Sequence, residues 1–148
     1  MTRRSPSGSA LLNTSVILAS LDADEPAHVA CDRLLAEGKH RLYVHALAET
    51  FSILTGGRGA RRLDAAIAAR LIRESVLPFV EVVDLSGADT IEAIEQARAR
   101  GIRGGASYDD MHLVAARKSR AVAVFTLDTR DFQAFARPGH PPIASPSP

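Results

Sequence analysis

Short apolar runs alternate with amphipathic segments along the chain, and this alternation restricts the fold more than any other sequence feature. The clearest run, AVAVFT at residues 121–126, contains no charged residue. Other short runs lie at 10–12, 41–44 and 77–85. Strands that are apolar along their length are typical of a parallel sheet buried on both faces. The sequence therefore predicts an α/β three-layer sandwich, with a parallel sheet of four to five strands, helices on both faces and right-handed crossovers.

The segments between these runs have helical periodicity and end at capping or turn residues. Ser86 is placed to cap the start of one helix and Gly101 to end it. We expect the periodic apolar side chains, among them Ile67, Ile91 and Ile94, to face the core. The first predicted helix starts at residue 16. The others cover residues 26–36, 46–54, 63–75, 86–100 and 107–119.

A chain of 148 residues is long enough for one domain with a single core. The first nine residues, MTRRSPSGS, are polar and predict a loose N-terminal arm. Residues 138–148 hold five of the eight prolines, so this tail is expected to form at most one short edge strand and then coil. We place the globular domain at residues 10–137.

Bulk composition gives only weak functional information. The net charge of +1 does not mark nucleic acid as a partner, although 16 of the 18 basic residues are arginines, which bind phosphate well. Cys31 is the only cysteine, which excludes an internal disulfide and favours a reducing compartment. No stretch of about 20 apolar residues is present to span a membrane. We therefore expect a cytoplasmic protein, in which the Asn13-Thr14-Ser15 glycosylation pattern has no meaning.

Polar residues cluster where the predicted strands end. Asn13 follows the first strand, Glu49 lies one turn into the helix after the second, and Asp128 follows the fourth. Asp109 and Asp110 open the helix before the fourth strand. Each of them alone could be a helix cap or a solvated side chain. Together, at the carboxyl edge of a parallel sheet where sites form, they predict an all-oxygen site for Mg²⁺ or Mn²⁺, suited to phosphodiester hydrolysis.

Four short motifs at these positions resemble those of the PIN-domain ribonucleases, particularly the VapC-type toxins of bacterial toxin–antitoxin pairs. The motifs occur in the family's order over residues 10–132, nearly the whole chain. They read LLNTSVIL at 11–18, AETFSILT at 48–55, YDDMHLVAA at 108–116 and TLDTRDF at 126–132.

The resemblance implies roles for individual residues. The family's metal-binding acids fall on position 13, Glu49, Asp109 and Asp128, with Asp131 as an auxiliary acid. Helix geometry separates Asp109 from Asp110 by about 100°; the family register favours Asp109 and leaves Asp110 as the alternative. The supporting hydroxyls that orient the carboxylates would come from Thr14, Ser15 and Thr126. We expect His112 to pack or to hydrogen-bond rather than to act as a general acid.

The chain departs from the family at position 13, where Asn stands in place of Asp. An amide is neutral and offers one oxygen, so affinity for a hard cation falls. Either the natural chain carries Asn and is weakened or inactive, or Asn13 replaces a native aspartate. The alternative functions are a catalytically silent module that binds RNA or an antitoxin, and a PIN nuclease that processes RNA without being a toxin.

The resemblance also implies substrate and partners. It implies cleavage of tRNA or rRNA to a 3′-hydroxyl and a 5′-phosphate, a homodimer, and a VapB-like cognate antitoxin whose C-terminal segment blocks the site. An acidic pocket needs cations around it to meet RNA phosphates. Since aromatic residues are few, we expect recognition of a folded RNA's shape and loops more than stacking on a single strand. The RNA-binding candidates are Arg58, Arg61, Arg62, Arg103 and Arg130.

Overall fold

The computed structural model describes residues 8–56 and 62–147, so two of the RNA-binding candidates, Arg58 and Arg61, lie outside the described residues. Within that part of the chain five strands form one sheet: β1 (Leu11–Leu12), β2 (His40–Tyr43), β3 (Val80–Val83), β4 (Val124–Phe125) and β5 (Ile143–Ala144). All neighbouring strands are parallel, in the order β3-β2-β1-β4-β5. The predicted parallel sheet is confirmed, as is the short edge strand of the Pro-rich tail.

Helices cover both faces of the sheet, as predicted. The successive side chains of β1 show the division: Leu12 packs in a core with Val16, Ile17 and Leu34, whereas Leu11 packs with Leu113 on the opposite face. None of the described helices is both long and apolar enough to cross a membrane. The helices in the described ranges are α1 (Thr14–Leu21), α2 (His28–Ala36), α3 (His45–Thr55), α4 (Ala65–Ser75), α5 (Gly87–Gln96), α6 (Ala106–Lys118) and α7 (Thr129–Phe135).

The capping predictions around α5 are confirmed. Ser86 Oγ accepts a hydrogen bond from the backbone N–H of Asp89 at 3.0 Å. A short 3-10 turn follows α5 and ends at Gly101, whose φ of 69° lies in the left-handed region. A side chain at that position would be strained, because only glycine adopts this conformation readily.

Several helices turn a different face to the core from the one predicted. Ile91 and Ile94 of α5 and Ile67 of α4 are about half exposed, whereas Ala93 and Ala68 are buried in their place. Small alanine side chains allow a helix to approach its neighbour closely, and the larger residues are then pushed to the flanks. The prediction of buried isoleucines at these three positions is wrong, and the result is an apolar outer surface.

The strand boundaries also differ from the sequence prediction. Residues 77–79, LPF, form a 3-10 turn, so β3 begins only at Val80. β4 is shorter than predicted and covers only Val124–Phe125. The chain turns between α6 and β4 at Arg120, which has a φ of 57°. The helix α7 was not predicted, since its seven residues are too few to show a clear period.

Candidate active site

Asn13 forms the corner between β1 and α1. Its Oδ1 caps α1 by accepting a hydrogen bond from the Ser15 N–H at 3.2 Å. The same oxygen accepts from Ser15 Oγ at 2.8 Å and from Thr126 Oγ1 at 3.1 Å. The residue is only 3% exposed. Three donors directed at one buried oxygen are an environment that stabilises a carboxylate, so this corner suits Asp as well as Asn.

The hydroxyls of Ser15 and Thr126 join the corner after β1 to the corner after β4. Ser15 Oγ accepts a hydrogen bond from the Leu127 N–H, and Thr126 Oγ1 accepts one from the Asp128 N–H, each at 3.0 Å. These bonds fix the backbone that carries Asp128 beside Asn13. The structure therefore brings the first and last predicted site positions to the same edge of the sheet.

Glu49 lies on α3, one turn after the end of β2, and its carboxylate contacts two histidines. Its Oε1 lies 2.9 Å from His112 Nε2 and 3.6 Å from His45 Nε2. Burial acts to raise the pKa of Glu49, but the hydrogen bond and charge of His112 and the charge of His45 outweigh it, and the pKa is lowered. Glu49 is thus held as an ionised group.

Thr14 lies beside Glu49 at the start of α1. The hydroxyl of Thr14 interacts with the Glu49 carboxylate and helps to lower its pKa. Thr14 thus acts with His112 and His45 to keep Glu49 ionised.

His112 packs as well as hydrogen-bonds, as predicted. It is fully buried, and its ring makes edge-to-face contacts with Tyr43 at 5.4 Å and with Phe132 at 6.3 Å. These contacts fix the imidazole in the orientation in which it reaches Glu49. A fully buried ring with this partner is a positioning residue for Glu49.

Asp109 and Asp110 have separate environments. Asp109 is in the first turn of α6. Its pKa is raised, chiefly by burial and further by the charges of Glu49, Asp128 and Asp131, although His112 opposes them. The side chain of Asp110 is 1% exposed and its Oδ1 lies 2.7 Å from Arg100 Nη2. Asp110 is therefore engaged in a buried ion pair, and Asp109 is the carboxylate that interacts with the other acids.

Asp128 and Asp131 stand at the start of α7 and are both exposed. Asp128 occupies the N-cap position without a side-chain capping bond. In the described ranges neither carboxylate has an ion-pair partner. Both acids remain available to an external cation.

The donor set matches a hard divalent cation in chemistry, but its side chains do not enclose one. Across residues 8–56 and 62–147, no three His, Cys, Asp or Glu side chains are grouped so as to hold a metal ion. Glu49 is turned to His112, and the fourth corner is the amide of Asn13. Burial chiefly raises the pKa of Asp109, and the nearby charges of Glu49, Asp128 and Asp131 add to the rise. A cation relieves the part that comes from like charges. The residues present therefore fit a metal in charge and donor type.

The predicted RNA-binding arginines within the described part of the chain are all exposed. Arg103 lies in the loop before α6, and Arg130 lies on α7 between Asp128 and Asp131. Arg62 follows the undescribed segment. Arg103 and Arg130 thus flank the elements that carry Asp109 and Asp128.

One feature of the site was missed by the sequence reasoning. His45 and Tyr108 stack on each other, with ring centroids 4.9 Å apart and planes 11° apart. The only sequence signals are the spacing of four residues between His45 and Glu49 and the position of Tyr108 beside Asp109. Neither signal predicts contact between two helices.

Comparison with known proteins agrees with this geometry. The PIN domain family model matches residues 10–138. Ribonuclease VapC27 of Mycobacterium tuberculosis is 36% identical over 123 residues, which are 83% of this chain and 85% of that protein. The crystal structure of M. tuberculosis VapC20, described as a sarcin-ricin loop cleaving toxin, has 26% identity and a TM-score of 0.65, covering 88% of this chain and all of that one.

The fold also matches VapBC from Salmonella typhimurium, solved bound to DNA, with a TM-score of 0.67 at 20% identity, covering 95% of this chain and 99% of that one. At that identity the likeness concerns the fold alone. The family model matches the chain from β1 to α7, and VapC27 matches 83% of it. The chain belongs to the PIN-domain family and is a VapC-type member of it.

Proposed function

We propose that this protein is the toxin of a toxin–antitoxin pair, a metal-dependent endoribonuclease that hydrolyses phosphodiester bonds of tRNA or rRNA. The observation that carries the proposal is geometric: the hydroxyls of Ser15 and Thr126 join the Asn13 corner to the Asp128 backbone at one edge of the sheet. The charges of Glu49 and Asp128 act there on Asp109. The relative named ribonuclease VapC27 supports RNA as the substrate. VapC20, named as a cleaving toxin, supports the toxin role.

Glu49, Asp109 and Asp128, with the side chain at position 13, would hold Mg²⁺ or Mn²⁺. When bound, such an ion lowers the pKa of water and neutralises charge on the attacked phosphate. Ser15 and Thr126 hold the position-13 oxygen and the Asp128 backbone in place. Their role is to keep donor atoms on adjacent strands at fixed separation, as outer partners of a metal site do.

Around the acids, exposed arginines would meet the flanking phosphates. Arg103 and Arg130 are the described candidates nearest to the acidic elements in the chain, and Arg62 is the next. Each phosphate contact releases counterions, so RNA affinity is expected to fall steeply with salt. Asp131 would act as an auxiliary acid at the start of α7.

Asn13 decides how active this sequence is. A neutral amide at the fourth corner removes one of the negative charges on which cation affinity depends. We expect purified Asn13→Asp protein to cleave RNA with Mn²⁺ roughly a hundredfold faster than the chain as it stands. On the Asn13→Asp background, Asp109→Asn or Asp128→Asn should abolish cleavage, whereas Asp64→Asn should not, because Asp64 only caps α4. Full cleavage after loss of Asp109 and Asp128 would refute the nuclease proposal.

A second candidate function is a catalytically silent module that binds RNA or an antitoxin. The neutral amide of Asn13, well hydrogen-bonded at the corner, favours it. This function predicts that RNA or partner binds to the chain as it stands and that Asn13→Asp gains no cleavage. The same assay therefore separates the two candidates.

The proposed partners are a VapB-like antitoxin and a second copy of the chain. Solved VapBC complexes from Rickettsia felis and Salmonella typhimurium share this fold, which supports an antitoxin as a partner.

The half-exposed Ile91 and Ile94 of α5 supply apolar surface for a homodimer. Sedimentation should give the mass of two chains, and Ile94→Lys should reduce it to one. Val29→Lys on α2, also exposed, is the matched control and should leave the mass unchanged.

A further inference from the structure

A small cleft adjoins the acidic site and shares Glu49 with it. Its volume is about 380 Å³, at the lower end of the range for ligand sites. α3 supplies all of its lining except Tyr108, which comes from the first turn of α6. The lining residues are His45, Ala48, Glu49, Ser52, Ile53 and Tyr108.

Two aromatic rings in this cleft are already arranged for stacking. The rings of His45 and Tyr108 are stacked and nearly parallel, with planes 11° apart and centroids separated by 4.9 Å. One face of the Tyr108 ring lies against His45, yet Tyr108 remains 54% exposed. A further planar group therefore has access to the outer part of the pair.

The pair is held by its surroundings. His45 Nε2 lies 3.6 Å from Glu49 Oε1, and the His45 ring also lies 6.3 Å from that of Tyr43. Tyr108 is carried by a helix whose next residues include the buried Asp110 and His112. A rigid aromatic surface loses little conformational entropy when a ligand binds, which favours affinity.

We propose that His45 and Tyr108 form a stacking platform for one RNA base next to the bond that is cleaved. The proposal rests on the proposed function and specifies how its substrate is positioned. Bases stack on aromatic side chains in single-stranded and looped RNA. An occupant of this cleft touches Glu49, so a base placed there brings its adjoining phosphate to the acids. The platform adds base stacking to the expected recognition of a folded RNA's shape and loops.

The test uses RNA oligonucleotides and stem–loops that each carry one 2-aminopurine, whose fluorescence is quenched when the base stacks. Binding to the chain with Asn13 is measured by stopped flow, so the result does not depend on cleavage. We expect quenching at one RNA position. Tyr108→Ala should weaken binding roughly 5- to 150-fold and remove the quenching, whereas Tyr108→Phe should retain both.

Two further variants separate stacking from other effects. His45→Phe keeps a ring and loses the nitrogen that faces Glu49, so quenching should persist, whereas His45→Ala should reduce it. Phe79→Ala removes an exposed aromatic residue from the turn before β3 and should change nothing. Thermal melts of each variant establish that it is folded.

The proposal is overturned if folded Tyr108→Ala and His45→Ala bind and quench as the parent does, or if the parent quenches no base. It is also overturned if these variants alter only dimer mass or binding of an antitoxin peptide, since the cleft then serves a protein. If quenching follows the pattern above but Asn13→Asp cleaves no RNA, His45 and Tyr108 stack an RNA base as proposed, and the nuclease proposal fails together with the placement of that base beside a cleaved bond.

Discussion

The adjacent acids of α6 provide a sharp test, because the structure gives them opposite roles. Asp110 forms a buried ion pair with Arg100, whose side chain is 11% exposed. Asp109 faces the other carboxylates. On the Asn13→Asp background, we expect Asp110→Asn to reduce stability and keep cleavage. Asp109→Asn should instead abolish cleavage without loss of stability.

The magnitude for Asp110→Asn follows from burial. Removing one partner of a buried ion pair costs about 3–5 kcal/mol, because the other charge is left uncompensated. Here Asn keeps a polar oxygen beside Arg100, and Arg100 Nη2 also donates to the Phe135 carbonyl at 2.7 Å. We therefore expect the lower figure, about 3 kcal/mol. For a chain of this size that corresponds to a fall in Tm of roughly 6–12 °C.

The assay combines thermal melts with RNA cleavage measured well below each Tm. The double variant Arg100→Met with Asp110→Asn is the control, since removal of the orphaned charge should recover part of the lost stability. The reasoning is refuted if Asp110→Asn melts like its parent, or if it loses cleavage while folded and Asp109→Asn does not.

Three further predictions concern the same site. Asp109→Asn should raise the Tm near neutral pH. Burial and the nearby carboxylates raise the pKa of Asp109, so the folded chain binds the proton more tightly than the unfolded chain. The folded chain with Asp109 therefore loses stability as pH rises through that pKa, and Asn removes this loss. Melts from neutral pH to below the ordinary value of 3.8 should show the gain disappearing; a gain that persists there would contradict this. Thr126→Val should cost about 1–3 kcal/mol in urea unfolding, because a buried donor and acceptor are lost, and Thr126→Ser should cost less. His112→Phe keeps the ring packing but removes the hydrogen bond to Glu49. The pKa of Glu49 should therefore rise, and the acid limb of the cleavage pH profile should move to higher pH. An unchanged acid limb would show that His112 does not lower the pKa of Glu49.

The central strands and the ends of the helices could be predicted from the sequence because they depend on local signals. The uncharged run before Thr126 and the cap at Ser86 each specify their own structure. Once the strands are parallel, their carboxyl ends must share an edge. The position of the candidate site therefore follows from strand order alone.

Contacts between distant elements could not be predicted in this way. The His112–Glu49 bond joins residues 63 apart in sequence, and the periodicity of neither helix specifies its partner. The same reason explains why Ile91 and Ile94 were wrongly placed in the core. Periodicity finds an apolar stripe, but the packing of Ala93 decides which side of that stripe is buried.

The register of the two acids on α6 shows how geometry and partners combine. A separation of about 100° between successive residues requires that only one acid face the site. The sequence does not indicate which acid faces the site, because either side chain could pair with a basic residue. Arg100, placed by the 3-10 turn after α5, decides the matter by engaging Asp110.

The side chain at position 13 controls both the charge of the site and its response to a cation. The three donors on Asn13 Oδ1 would serve a carboxylate equally well, so Asn13→Asp should fold without rearrangement. It also adds a negative charge to a site where the pKa of Asp109 is already raised, chiefly by burial and further by the charges of Glu49, Asp128 and Asp131. Without metal, Asn13→Asp should therefore have a lower Tm than the parent chain.

Mn²⁺ should reverse that order. A ligand at about 100 times its Kd stabilises the folded state by about 2.7 kcal/mol, which corresponds to roughly 5–11 °C in Tm here. We expect that gain for Asn13→Asp, a smaller one for the parent, and none when Asp109→Asn is added, because the combined variant lacks the acid that the cation relieves. Equal Mn²⁺-induced shifts in all three proteins would show that the carboxyl edge of the sheet does not bind the ion.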